Sequence, residues 1–208
     1  MKNLIFMLAL ALALPVNAKE NSIQSASTIA CGHALYAAGI ALNNLSQTDY
    51  CTLYGIMNNN SLNDEQKWAT ISATSSLSTY ASVVNSSCST LQAENIAGMS
   101  SSDLDLVGDE IYADMGIANA GGGCSGYKTG VASCLRQDAV CVILAFASGA
   151  TGCLPCVALG LTACSALMID CGINVANAYP GCGGSGGSIN FNPVIRPFDT
   201  PSAKSGCQ

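Results

Sequence analysis

Four cysteines limit most tightly how this chain can fold. Cys134 and Cys141 are seven residues apart, and so are Cys164 and Cys171. Seven residues make close to two helical turns, so each pair lies on one face of a helix. Between the pairs stand Gly149, Gly152 and Pro155, which fit poorly inside one long helix. The spacing therefore predicts two helices, roughly 130–148 and 156–175, folded back as an αα-hairpin. In such a hairpin, facing positions have numbers that add to a constant. Cys134 with Cys171 gives 305, and Cys141 with Cys164 gives 305 again. Cys124 with Cys182 gives 306, one step outside the same ladder. The mirror centre falls at Gly152–Cys153, inside the expected loop. Nested disulfides 124–182, 134–171 and 141–164 are the predicted pairing. Cys153 and Cys156 either bridge each other or reach elsewhere, and the arithmetic finds no partner for Cys31, Cys51, Cys88 or Cys207.

Twelve cysteines among 208 residues suit an oxidising compartment, and their even number would let all of them pair. The N-terminus points the same way. Lys2, the apolar run Leu4–Leu14 and the small-residue site Val16-Asn17-Ala18 read as a secretory signal peptide, cut after Ala18. The chain is therefore expected to be secreted. A metal-binding role for the cysteines fits less well: there is one histidine, His33, and one CxxC, Cys153 to Cys156. No metal or cofactor is expected.

No charged residue occurs between Asp138 and Asp170. That stretch is long enough to cross a membrane, but Pro155 and the glycines divide it. Each arm of about 16–20 residues would span ~24–30 Å as helix, close to the thickness of a hydrocarbon core. The arms suit either membrane contact or a compact stapled core. At about 60 residues such a core is marginal alone, and crosslinks would supply what it lacks.

Composition changes near Gly121-Gly122-Gly123. Residues 19–123 hold ten acidic and two basic side chains and three cysteines; residues 124–208 hold three acidic, four basic and nine cysteines. The expected organisation is a signal peptide (1–18), an acidic helical region (19–120), a glycine linker (121–123), a cysteine-rich hairpin (124–184) and an extended tail (185–208) that Cys207 could tether. The fold class is all-α. In the acidic region Ile29, His33, Tyr36 and Ile40 recur at helical spacing up to Asn43-Asn44. A short helix is expected over 49–57. Ser61 or Asn63 is expected to cap a segment carrying Trp68, Ile71, Leu77, Tyr80 and Val84. Ser101 or Ser102 is expected to cap a last helix bearing Leu104, Val107, Ile111 and Met115. Glycines 122 and 123 are where a protease would cut an exposed linker.

Nothing in the chain reads as catalytic. There is no Gly-x-Ser-x-Gly elbow, no phosphate loop and no dinucleotide fingerprint. His33 is the sole candidate base and reads as a packed or surface residue. Asp103 to Asp114 partly imitates a calcium loop, but Val107 stands at a ligand position, and an amphipathic helix is the better reading. The few basic residues argue against a nucleic-acid partner. Asn44, Asn59 and Asn85 begin glycosylation sequons, which matter only in a host that uses them.

Two segments resemble the halocin C8-like antimicrobial peptides: GLTACSALMIDCGINVANAYPGCGG, residues 160–184, and VCVILAFASGATGCLPC, residues 140–156. The shared features are a Gly-Leu-Thr start, two cysteines about two turns apart, an aromatic just before Gly-Cys-Gly, and a Gly/Ala-rich apolar stretch between cysteines. The likeness covers about 60 residues, Cys124 to Gly184. The signal lacks the twin arginines of that family, and the tail after Gly183 is extra. The resemblance implies a secreted bacteriocin-like precursor that acts on the membrane or envelope of competing microbes, with an N-terminal part that is removed and associates with the C-terminal part to protect the producer. The residue-level alternative is a secreted, disulfide-rich binding or structural protein that works uncut.

Overall fold

A computed structural model describes residues 26–114, 124–148, 153–180, 182 and 207. The signal segment with Ala18, the linker with Gly122 and Gly123, the hairpin turn 149–152 and most of the tail lie outside the described residues. Seven α-helices and two short 3-10 turns make up nearly all of the rest: α1 (Ala26–Asn43), α2 (Gln47–Met57), α3 (Asp64–Ala73), α4 (Ser78–Ala93), α5 (Ser101–Asp114), α6 (Ser125–Ser148) and α7 (Leu154–Ala178). No strand occurs among the described residues, and the fold is all-α.

Local chemistry sets most helix starts. Ser46 caps α2 by accepting from the Asp49 amide. Asn63 caps α3 in a reciprocal box with Gln66. The start of α5 is set one residue earlier than Ser101: Ser100 and Asp103 exchange bonds, the Ser100 amide donating to Asp103 Oδ2 at 3.0 Å and the Asp103 amide to Ser100 Oγ at 3.3 Å. The expected continuous segment from Trp68 to Val84 is two helices. Thr74 takes an extended conformation (ψ 115°), ends α3 and leads through Ser75–Leu77 into α4.

In α1 the buried stripe is not the one its spacing suggested. Cys31, Leu35, Ala38 and Leu42 face inward, whereas His33 is exposed and Ile29, Tyr36 and Ile40 are half-buried. Both stripes are mostly apolar at helical period, so spacing alone could not choose between them. Residues 103–114 form helix, not a calcium loop.

The longest helices, α6 and α7, pack antiparallel. α7 also meets α1, α3 and α4, while α5 lies against α1 and α6. One hydrophobic core runs through both compositional halves, from Leu35 and Leu53 to Leu161 and Ile169. The composition boundary near the glycine linker is thus not a packing boundary. A buried polar bond crosses it: Tyr80 of α4 donates its hydroxyl to Thr162 Oγ1 of α7 at 2.8 Å, and Thr162 donates back to the Ala158 carbonyl.

Candidate functional site

The hairpin seam is built by residue pairs whose positions add to 305. Cys134–Cys171 and Cys141–Cys164 are bonded across it. Three glycines on the seam obey the same rule. A methyl group on Gly160 would stand 2.6 Å from Ala145 Cβ, one on Gly130 2.8 Å from Val175 Cγ1, and one on Gly126 2.6 Å from Tyr179 Cε1. All three separations are below contact distance, so the missing side chains let the helix backbones approach closely. Cys124–Cys182 closes the open end. At the other end Cys153 bonds Cys156, and the Cys153 sulfur caps α7 by accepting from the Cys156 amide at 3.3 Å. Pro155 sits in the first turn of α7, where its missing N–H costs nothing, so it begins the helix instead of occupying the loop.

A fifth disulfide joins Cys51 of α2 to Cys207 of the tail. Not every cysteine pairs: Cys31 and Cys88 are buried free thiols. Burial raises their pKa to about 11 and about 12, so neither is a thiolate nucleophile near neutral pH.

The α7 part of the uncharged run has a plain structural reason. α7 turns one face to α6 and the other to α1, α3 and α4, so it is apolar all round. Both hairpin helices are long and apolar enough to cross a membrane by length and composition, yet about two-thirds of the most apolar 18-residue stretch of α7 is buried inside the protein. α6 is more open. The exposed large apolar side chains among the described residues, Val140, Leu144, Leu154, Leu167 and Tyr179, all belong to the hairpin.

One feature of the seam had no sequence signal beyond its isolation in an apolar stretch. Asp138 lies on α6 between the two disulfide rungs and is 2 % exposed, and neither carboxylate oxygen has a hydrogen-bond partner. Burial raises its pKa from 3.8 to about 7. It borders an open groove of about 550 Å³ together with Leu167, Asp170, Asn174 and the Cys134–Cys171 bridge.

No protein-family model, no curated protein and no solved structure matches this chain. The disulfides agree with an extracellular setting.

Proposed function

We propose that the chain is a secreted, bacteriocin-like antimicrobial precursor, non-catalytic, whose hairpin acts on the membrane or envelope of competing microbes. In this reading the N-terminal helices cover α7 until the linker is cut and the Cys51–Cys207 bond opens. The observation that carries it is the distribution of staples and apolar surface. Four disulfides lie wholly within residues 124–182, and the exposed large apolar side chains lie there too. A unit of that size that holds its shape by its own crosslinks and presents an apolar surface suits a peptide that works outside cells.

The test compares intact chain with chain cut at the linker, the latter carrying Cys51→Ser and Cys207→Ser so that the hairpin can leave. Growth inhibition of related strains by the cut form, abolished by reductant and quenched by added N-terminal piece, is the expected result. No inhibition by any cut form rejects the reading.

A second reading, a binding or structural protein that works uncut, is favoured by the shared core and by Cys51–Cys207. Mass spectrometry of secreted material separates the two, since the second requires an intact chain from about residue 19 onward.

A further inference from the structure

The one histidine of the chain does not stand alone. α1 and α5 approach closely at Gly32, where a methyl group would lie 2.7 Å from Glu110 Cβ and 3.3 Å from the Val107 carbonyl oxygen. That approach brings the next residue, His33, onto α5. Glu110 and Asp114 are four apart there and share a face. His33 Nδ1 lies 2.5 Å from Asp114 Oδ2, and His33 Nε2 lies 3.5 Å from Glu110 Oε1.

We infer that His33, Glu110 and Asp114 form a binding site for one divalent transition-metal ion, of which zinc is the reference. One donor atom from each residue lies within 4.8 Å of the other two. Small side-chain rotations bring such a set onto a single ion with bonds of about 2.0–2.2 Å. One imidazole nitrogen with two carboxylate oxygens favours zinc or a neighbouring first-row ion over calcium and magnesium, which take oxygen alone. The charge balance agrees, because two carboxylates face one imidazole. The one arginine among the described residues, Arg136, is committed to Asp105 at 3.0 Å. Access is open on one side: the His33 side chain is 53 % exposed, and those of Glu110 and Asp114 are 16 % and 22 % exposed. Water therefore completes the coordination.

An ion takes only one of the two ring nitrogens. Any proton on that nitrogen leaves to solvent, and the other ring nitrogen keeps its hydrogen for a carboxylate or water, which fixes the ring. Binding consequently weakens in acid, where the ion competes with protons. Bound metal would clamp α1 to α5 by a link that no disulfide supplies. The inference does not depend on antimicrobial action.

The experiment titrates zinc into the oxidised, tag-free full-length chain, followed by calorimetry and by NMR of the imidazole C–H resonances. With a single histidine those resonances belong to His33 without assignment. Expected are saturation at one ion per chain, displaced imidazole resonances, and a loss of affinity of at least about tenfold in both His33→Ala and Glu110→Gln. Absence of saturable binding overturns the site. So does binding that leaves the imidazole resonances in place, a readout on the natural chain that stands even if a variant misfolds.

Discussion

Asp138 is a carboxyl group placed where its charge has nothing to meet it. In the unfolded chain it titrates near the ordinary value of 3.8; in the fold burial moves it to about 7. The fold thus favours the protonated acid. The stability that depends on Asp138 being protonated is fully present below about pH 4 and is lost as the pH rises to about 7. Asp49 and Asp103 shift the other way, held low first by hydrogen bonds from Ser46 and Ser100, so what they contribute disappears only at acid pH. Asp138→Asn leaves those groups alone. The variant should match the natural chain near pH 4 and exceed it above pH 7 by about 2–4 kcal/mol, an order-of-magnitude figure from the pKa shift. Thermal melts of both chains at pH 4.5 and pH 8 check this, and parallel pH profiles would refute it.

At the level of helices, two glycines make opposite forecasts. Gly160 faces Ala145 across the seam at 2.6 Å for an added Cβ, and Cys141–Cys164 bolts the same turn, so the helices cannot part to make room. Gly160→Ala should destabilise by about 1–3 kcal/mol. Gly55 lies inside α2 with nothing within 4 Å of an added Cβ, so Gly55→Ala should stabilise by about 0.5–1 kcal/mol. Denaturant midpoints of the two variants should move in opposite directions. The hairpin was legible in sequence because helical period and disulfide reach are both local rules: seven residues return a side chain to the same face, and a bridge requires facing positions. The arms run farther than expected, from Ser125 and to Ala178, because covered glycines and a first-turn proline cost less than exposed or mid-helix ones. The inward stripe of α1 was not legible from spacing, because both of its stripes are mostly apolar and the neighbours decide between them.

For the molecule as a whole, Cys51–Cys207 is the bond that would decide what a cut in the linker releases. It ties α2 to the far end of the chain across 156 positions, while the other four bridges stay inside the hairpin region. A cut anywhere between Asp114 and Cys124 therefore leaves the two pieces covalently joined. Non-reducing gels of protease-nicked protein should show one band at the intact position, and reducing gels two. Two bands without reductant would show that the bond does not form. The shared core adds a non-covalent tie, so release of the hairpin needs both the bond and the α7 interface to open.

The amino-acid sequence by itself determined the helical class, the fold-back of residues 124–182 and the register of its bridges, since each depends on spacings of one or two helical turns. Only the tertiary structure decided that α7 is covered on its second face, that Cys31 and Cys88 remain unbonded thiols while Cys51 meets Cys207, that Asp138 is left without a partner, and that His33 meets two carboxylates 77 and 81 residues away. Those contacts join residues far apart along the chain. No period relates such positions, and it is the packing of whole helices that brings them together.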